Sequence, residues 1–298
     1  MKNIKLVLAL LVSLGVSACG GGGGNGLGSA NTPLYIDANN RQTVAATAIR
    51  IATGSTFELF NPENFATTIY DAFQLGNITS QCSNNGEVAS VDTLTRTGTI
   101  DYTNCTFFGK TFNGTVHLSN ISVNLNPDIL LATLTFNNFS ITTSSGTTTL
   151  TGDYDMTATG LNTSYPLSFR AKSNGARLAL TKNGQTDVIT NFNFFALAVS
   201  SFTTTYTSDF TLASSSLGGL ITHQNIIGSP YEKNSPNLRP SLGAAYVVGQ
   251  YPTELRITVL SNENTLPLLN QVRVDRSIDG GNTFPVFTEY GWSDLLPL

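Results

Sequence analysis

The sequence reads TVHLSNISVN over residues 115–124 and TLTFNNFSIT over residues 133–142, and these two stretches show the clearest pattern of the chain. Apolar and polar residues alternate in both stretches, which is the pattern of a β-strand with one buried face. In both, the apolar positions move one place out of step at the asparagine in the sixth position. A β-bulge at Asn120 and at Asn138 explains this change, and matching bulges in neighbouring strands predict a coherently curved sheet.

The same alternation extends on both sides, from about Glu87 to about Ile227. The fragment TNFNF at 190–194 matches the end of the repeated pattern. Asn-Gly pairs at 174–175 and 183–184 favour tight hairpins between segments. We therefore predict an antiparallel meander, with further strands near 147–158, 167–171, 177–180, 192–199 and 203–212.

Two short helices are predicted before the sheet. Asn40 caps the first, which runs to about Ala52. Asn61 caps the second, Pro62 takes its first helical position, and Gly76 stops it. Their apolar stripes predict packing against the sheet and consist of Val44, Ala48 and Ile51 in the first helix and Phe65, Ile69 and Phe73 in the second.

The C-terminal part, residues 229–298, is predicted to be a β unit packed on a main domain of residues 34–228. Residues 229–240 carry three prolines and are interpreted as a connection. Strands are expected near 255–260, 272–276 and 284–287. The predicted fold class is mainly β: a large curved antiparallel meander, with one or two short N-terminal helices and a small C-terminal β-hairpin unit.

Residues 1–18 have the form of a signal peptide. Two lysines precede an apolar core of about nine residues, which suits secretion but is too short to span a bilayer. Val16-Ser17-Ala18-Cys19 resembles the bacterial lipobox. The resemblance implies cleavage before Cys19, a diacylglyceryl group on its sulfur, and acylation of its amino group by a fatty acid such as palmitate. An ordinary signal peptide with an accidental cysteine is the alternative.

A glycine-rich tether follows the lipidated Cys19, so that residues 19–33 form the anchor region. The 14 residues from Gly20 to Pro33 reach about 20 Å as a flexible coil. Gly20, and not an aspartate, follows the cysteine, which under the sorting rule of lipoproteins implies the outer membrane. The periplasmic face and the cell surface both remain open.

The composition argues against acidic partners. Removal of the signal peptide takes away two of 15 basic residues, which leaves 13 basic against 19 acidic residues and a net charge of −6. Such a balance argues against binding nucleic acid or anionic headgroups. Charged residues make up only 11% of the chain, which has 41 Thr, 27 Ser and 29 Asn, so its surface is uncharged and rich in hydroxyl groups.

Besides Cys19, the chain has two cysteines, Cys82 and Cys105. A protein exported from the reducing cytosol favours a disulfide between them, with free thiols or a metal site as alternatives. Closing a loop of about 24 residues contributes roughly 3 kcal/mol in the chain-entropy model.

The segment SIDGGNTF at 277–284 resembles the Asp-box, a hairpin turn repeated in sialidases and related propellers. The resemblance implies that Asp279 bonds the amides of the turn, and it implies no sialidase activity. Calcium is the alternative, because Asp275, Asp279 and Asn282 offer oxygen ligands. A calcium site needs six to eight oxygens, so no metal is predicted.

Few residues suggest catalysis. His117 and His223 are the only histidines, and His117 is expected to be an ordinary sheet residue. Asp153 and Asp155 share a strand face about 6.6 Å apart, which makes them candidate carboxylates of a glycan hydrolase. Solvated surface charges are the alternative for this pair. No catalytic residue and no cofactor is therefore predicted.

Several short motifs of the mature chain resemble a group of uncharacterised outer-membrane lipoproteins of proteobacteria. They are the lipobox and tether, the two later cysteines, Gly114, Pro240-Ser-Leu-Gly243, Val248-Gly249, Val272 to Asp275, Asp279-Gly280-Gly281 and Trp292. The resemblance implies no activity.

We expect a lipid-anchored envelope protein with a non-enzymatic binding or structural role. One alternative is a carrier of lipid or another apolar ligand, in a sheet lined by Phe136, Phe139, Phe192, Phe194 and Phe195. A glycan hydrolase is the other.

Overall fold

The computed structural model describes residues 30–52, 62–79, 82–83, 86–107, 109–125, 128–144, 146–162, 166–200, 203–234, 239–260 and 271–295. The predicted signal peptide, Cys19, most of the tether and the predicted cap Asn61 lie outside these residues. Within them, the chain forms three helices and one antiparallel sheet of 16 strands. The predicted mainly β fold class is confirmed.

The helices are α1 (Arg41–Ala52), α2 (Pro62–Leu75) and α3 (Trp292–Leu295). The strands are β1 (Asn77–Thr79), β2 (Glu87–Asp92), β3 (Thr97–Phe107), β4 (Lys110–Leu125), β5 (Asp128–Thr143), β6 (Gly146–Thr159), β7 (Leu167–Lys172), β8 (Leu178–Lys182), β9 (Gln185–Ala198), β10 (Thr203–Ser214), β11 (Gly219–Asn225), β12 (Tyr231–Asn234), β13 (Gly243–Val248), β14 (Glu254–Val259), β15 (Val272–Ser277) and β16 (Val286–Tyr290).

The sheet is a meander in which chain order is nearly spatial order. Its main path runs from β1 to β16, while β7 and β8 lie end to end between β6 and β9. The predicted hairpin at 183–184 joins the paired strands β8 and β9, whereas the predicted hairpin at 174–175 is wrong, because β7 and β8 do not pair with each other. The predicted C-terminal unit continues the same sheet, because β13 pairs with β11. The predicted connection 229–240 also contains a strand, β12, which pairs with β10. Its four residues lie among prolines, which hide so short a strand from a search for alternation.

The two predicted bulges are present. Asn120 and Asn138 have φ angles of 55° and 53°, and the register between β4, β5 and β6 shifts beside each of them. Asparagine tolerates this left-handed conformation better than most residues. Two more strands use the same device, because Asn104 in β3 and Asn191 in β9 also have positive φ beside a register shift.

The bulges keep one face of the long strands buried. The apolar residues on both sides of each bulge are buried, namely Val116, Leu118 and Ile121 in β4 and Leu134, Phe136, Phe139 and Ile141 in β5. An uninterrupted strand would turn one half of each set towards solvent, since side chains alternate strictly between the faces. The extra residue therefore bends the strand without exposing its apolar side chains.

Both N-terminal helices pack on this buried face, as their apolar stripes predict. The α1 residues Val44, Ala48 and Ile51 are buried, and α1 contacts β10, β14, β15 and α3. In α2, the Phe65 ring lies against the Phe136 and Phe139 rings of β5, with centroids 5.9 and 6.3 Å away. The helices therefore complete the core that the curved sheet begins.

The end of the predicted tether is already attached to the sheet. Ala30 is buried, and the Leu220 amide of β11 donates a hydrogen bond of 2.8 Å to the Thr32 carbonyl. Pro33 forms a parallel bridge with the same leucine. The described fold thus begins about ten residues after the predicted lipidation site.

Cys82 and Cys105 form the predicted disulfide, with their Cα atoms 5.2 Å apart. The bond fastens the segment before β2 to β3, and both cysteines are buried.

Replacing Cys82 and Cys105 together by alanine should lower the free energy of unfolding by roughly 2 to 4 kcal/mol, because the unfolded chain loses a cross-link. Urea unfolding of both proteins without reductant measures the difference. Labelling of both thiols in the natively folded wild-type protein would contradict the pairing.

Candidate functional site

The four C-terminal strands present a charged and aromatic surface on the face opposite the core. In the register of β13 to β16, Tyr246 lies opposite Arg256, Arg256 opposite Asp275, and Asp275 opposite Phe287. Alternation places these residues on one face, since Leu255, Ile257, Val272 and Val274 face the core. We call this surface the arginine–aromatic strip, and its members are Tyr246, Arg256, Arg273, Asp275, Phe284 and Phe287.

Asp275 is the centre of the strip. Its side chain is fully buried, although it lies on the outer face, because two arginine side chains cover it. Arg256 donates from Nε and Nη2 to Asp275 Oδ2 at 3.1 and 3.0 Å, and Arg273 Nε donates to Oδ1 at 2.7 Å. A buried carboxylate needs such pairing to offset its lost hydration.

The same arginines lie against aromatic rings. The guanidinium of Arg256 is 5.0 Å from the centroid of the Phe284 ring, and that of Arg273 is 4.2 Å from the Phe287 ring. Tyr246 stacks on Phe284 with centroids 6.2 Å apart. In the strip, guanidinium groups and aromatic rings thus lie against one another, and one buried carboxylate fixes the orientation of both arginines.

The segment after β15 forms the hairpin turn that the Asp-box resemblance implies. The Thr283 amide donates to Asp279 Oδ1 at 2.9 Å, and the Thr283 hydroxyl donates to Oδ2 at 2.7 Å. The Ser277 hydroxyl also donates to Oδ1, at 2.6 Å. These hydrogen bonds, with that from Ser277 first in importance, lower the pKa of Asp279 to about 2.

The three calcium candidates are all engaged in hydrogen bonds within the protein. Asp275 is engaged by two guanidinium groups, and both Asp279 oxygens accept hydrogen bonds from the turn. Asn282 Nδ2 donates to the Asp279 carbonyl at 2.6 Å. The geometry supports the turn and gives no support to a cation at these residues.

The candidate hydrolase pair, Asp153 and Asp155, lies on the outer face of β6. Asn174 Nδ2 is 3.1 Å from Asp153 Oδ2 and 3.5 Å from Asp155 Oδ1, so the amide bridges the two carboxylates. The Thr133 hydroxyl donates to the same Asp155 oxygen at 2.8 Å. This arrangement is a hydrogen-bonded polar cluster on an open sheet face.

The two histidines lie in opposite environments. His117 is exposed on β4, whereas His223 on β11 is fully buried and stacks on the Phe210 ring at 4.8 Å. The Nδ1 atom of His223 lies 2.8 Å from the Ser208 carbonyl and donates to it, because a carbonyl can only accept. Burial lowers the pKa of His223 to about 4, and the bond to Ser208 opposes this shift.

The buried His223 should make the fold sensitive to acid. Its folded-state pKa of about 4 lies below the ordinary 6.5, so the unfolded chain takes up a proton first as pH falls. The contribution of His223 to the free energy of unfolding should therefore be fully present above pH 6.5. On the order of 3 kcal/mol should be lost as the pH falls from 6.5 to 4. Chemical unfolding at several pH values measures the loss, and His223→Gln should flatten the curve while the exposed control His117→Gln keeps it. Equal curves for the two variants would contradict the assignment.

A second buried carboxyl group lies beside the disulfide. Glu87 of β2 is buried, and its Oε1 accepts hydrogen bonds from the Thr68 hydroxyl at 3.0 Å and from the Tyr102 hydroxyl at 3.1 Å. Burial first, and then this carboxylate, raise the pKa of Tyr102. Because Thr68 belongs to α2 and Tyr102 to β3, the carboxylate fastens the helix to the sheet.

Within the described residues, one set of three metal-ligating groups lies close together, and it includes this carboxylate. The candidate ligand atoms of Cys82, Cys105 and Glu87 are within 4.8 Å of one another. The disulfide occupies both sulfur atoms. The set therefore acts in the fold as a covalent and hydrogen-bonded link.

Four of the five aromatic residues expected to line a ligand site are buried, namely Phe136, Phe139, Phe192 and Phe194. Phe136 and Phe139 contact each other at 5.7 Å, and Phe192 and Phe194 stack at 5.5 Å. Phe195 is an exception that corrects the prediction, because it is only half-buried and lies on the outer face under the Arg170 guanidinium. Side chains alternate strictly along β9, so Phe195 lies on the face of the sheet opposite to that of Phe192 and Phe194.

The sequence does not predict the residues of the strip as one site. It indicates a ligand role for Asp275 alone, as a calcium candidate, while Arg273 and Phe284 belong only to the short motifs quoted above. The available signal is the stretch Val272-Arg-Val-Asp275, where Arg273 and Asp275 take the polar places of an alternating strand. That pattern does not reveal that Arg256 would lie opposite Asp275, because the pairing depends on the register between β14 and β15.

Comparison with known proteins gives no match: neither a protein-family model, nor a curated protein, nor a solved structure is similar to this chain at a significant level. In the part of the chain that the structure describes, the helices are too short or too polar to span a membrane.

Proposed function

We propose that the chain is a lipid-anchored protein of the bacterial outer membrane, of the lipoprotein group that its sequence resembles, and that it binds a partner without catalysing a reaction. Cys19 carries the anchor, the glycine-rich segment after it is the tether, and the sheet is the binding domain. The arginine–aromatic strip is the proposed binding surface.

The binding role is supported chiefly by the burial of Asp275 and its pairing with two arginines. A fully buried carboxylate with two arginines around it is costly to desolvate and stabilises a fold poorly compared with apolar packing. It does hold two guanidinium groups in fixed positions against Phe284 and Phe287. Arginine and aromatic residues are enriched at binding surfaces, and pre-organisation lowers the entropic cost of binding.

The geometry favours binding over catalysis at the other candidate positions. The carboxylates of Asp153 and Asp155 share one amide donor on an open face, and His223 is enclosed by Phe210 and the Ser208 carbonyl. A glycan hydrolase remains an alternative that activity on a glycan panel would reveal. Loss of that activity in Asp153→Asn or Asp155→Asn would decide in its favour.

Mass spectrometry of the protein extracted from membranes tests the anchor. The expected result is a mature N-terminal peptide that begins at Cys19 and carries the mass of a diacylglyceryl group and an amide-linked acyl chain. An unmodified Cys19, or an N-terminus at another residue, would contradict the proposal.

A carrier of an apolar ligand is the second candidate, because α2 covers an aromatic part of the sheet. Phe65 of α2 lies over Phe136 and Phe139, and Glu87 holds the helix in place through Thr68. Native mass spectrometry of the membrane-extracted protein distinguishes the candidates. A retained lipid beyond the acyl groups on Cys19 would favour the carrier, and its absence would favour a packed interior.

A further inference from the structure

Three large hydrophobic side chains are exposed at the end of the sheet where the described chain begins. Tyr35 lies in the segment before α1, Tyr251 in the turn between β13 and β14, and Ile278 in the turn after β15. They are 52%, 80% and 52% exposed, respectively. We call these three side chains the apolar rim.

Backbone hydrogen bonds hold the three segments of the apolar rim side by side. The Gln250 amide donates to the Leu34 carbonyl at 2.7 Å, which joins the residues directly before the two tyrosines. The Gly280 amide donates to the Pro252 carbonyl at 3.0 Å, which joins the two turns. The three exposed side chains therefore belong to one surface, although they are far apart in the sequence.

The apolar rim lies close to the point at which the predicted tether joins the fold. Ala30 is the first described residue, and five residues further along the chain is Tyr35, at most about 18 Å away. The eleven residues from Cys19 to Ala30 span at most about 40 Å even when fully extended. A lipid on Cys19 would therefore keep this end of the sheet near the membrane.

The opposite end of the sheet also has exposed hydrophobic side chains, so exposure alone does not identify a membrane contact. Successive turns of the antiparallel meander alternate between the two ends, and a strand of 16 residues such as β4 is up to about 50 Å long. That length exceeds the longest reach of the tether. The position of the tether, and not exposure, thus separates the apolar rim from the hydrophobic residues at the far end, which include Leu94, Leu125, Val199 and Ile227.

We propose that the apolar rim rests on the phospholipid surface to which Cys19 is anchored, an inference that depends on the proposed lipid anchor. Tyrosine suits the boundary between lipid and water, because its ring is apolar and its hydroxyl group is polar. The mature chain has a predicted net charge of −6, so apolar contact and not charge attraction is expected to hold the rim there. Three side chains bind weakly by themselves, but the anchor raises their effective concentration at the surface.

Fluorescence quenching tests the contact in the full-length, acylated protein reconstituted into phosphatidylcholine vesicles. Tyr251→Cys and the control Ile227→Cys each supply one thiol for a fluorophore, because Cys82 and Cys105 are joined and Cys19 is acylated. Ile227 is 98% exposed and follows β11 at the far end. Lipids with a nitroxide on the upper acyl chain should quench most of the fluorescence at position 251 and little at position 227. Equal quenching at the two positions, or none at position 251, would overturn the proposal.

Flotation of the same vesicles separates this proposal from that of the anchor. Acylated protein that floats with the vesicles, but whose label at position 251 is not quenched, would overturn the membrane contact and leave the anchor standing. Protein that lacks acyl groups and does not float would overturn the anchor, and with it the contact of the rim.

A charge on the rim provides a second test. With the fluorophore on Ile278→Cys, the further change Tyr251→Glu should remove most of the quenching, because a carboxylate is costly to place in the apolar part of a membrane. Ile227→Glu is the matched control and should leave the quenching at position 278 unchanged. Circular dichroism shows whether the variants fold, and unchanged quenching in folded Tyr251→Glu would overturn the proposal.

Discussion

Phe139→Ala is expected to lower the free energy of unfolding by about 4 kcal/mol. The ring is fully buried and touches four others, those of Phe65, Tyr102, Phe112 and Phe136, with centroids 5.5 to 6.3 Å away. Truncation leaves a cavity between α2 and the sheet, and so loses both burial and ring contacts. Urea unfolding monitored by circular dichroism measures the change.

Phe287→Ala is the matched control, because the same atoms are removed from a ring that is about half exposed, at 54%. Its effect should stay below about 1 kcal/mol. A loss below 1 kcal/mol for Phe139→Ala as well would contradict a packed interior. It would favour the carrier alternative, in which these rings line a ligand cavity.

Asp275→Ala is expected to cost roughly 2 to 4 kcal/mol, because it removes the buried carboxylate that pairs with two arginines, although these arginines are themselves 38% and 37% exposed and stay partly hydrated. Arg256 and Arg273 would then face each other without the carboxylate that separates and orients them. The same change should reduce binding to any partner of the strip, since the guanidinium positions are no longer fixed. Thermal and urea unfolding measure the first effect.

Asp101→Ala provides the comparison for this substitution. The Asp101 carboxylate is exposed on β3 and accepts hydrogen bonds from the hydroxyls of Thr99 and Thr115. Its loss should cost less than about 1 kcal/mol. If Asp275→Ala lowered the free energy of unfolding by no more than Asp101→Ala, the carboxylate would not organise the strip. The main support for the binding role would then be lost.

Local signals in the sequence predict much of the fold. The bulges at Asn120 and Asn138 are visible because the apolar positions slip by one residue, and burial of both halves of a strand requires that slip. The helix α2 is visible because Pro62 and Gly76 mark its ends. Gly76 has a φ of 86°, a conformation that glycine adopts readily.

Features that depend on tertiary pairing are not visible in the sequence. Arg256 and Asp275 are 19 residues apart, and they meet only because β14 and β15 pair in one register out of several. Glu87 and Thr68 meet because α2 lies against β2. The bulge at Asn104 also leaves a slip in the sequence, from Ile100 and Tyr102 to Cys105 and Phe107, but no second copy of this pattern marks it as one marks Asn120 and Asn138.

We propose that the sheet domain works while held at a membrane by the lipid on Cys19. Membrane fractionation of a bacterium that expresses the full-length chain and its Cys19→Ser variant tests this proposal. The wild-type protein should sediment with the outer membrane and remain there in high salt, because several acyl chains hold it far beyond reversible binding. Cys19→Ser should be found without acyl groups and outside the membrane fraction, and its unchanged association with the membrane would contradict attachment through the lipid on Cys19.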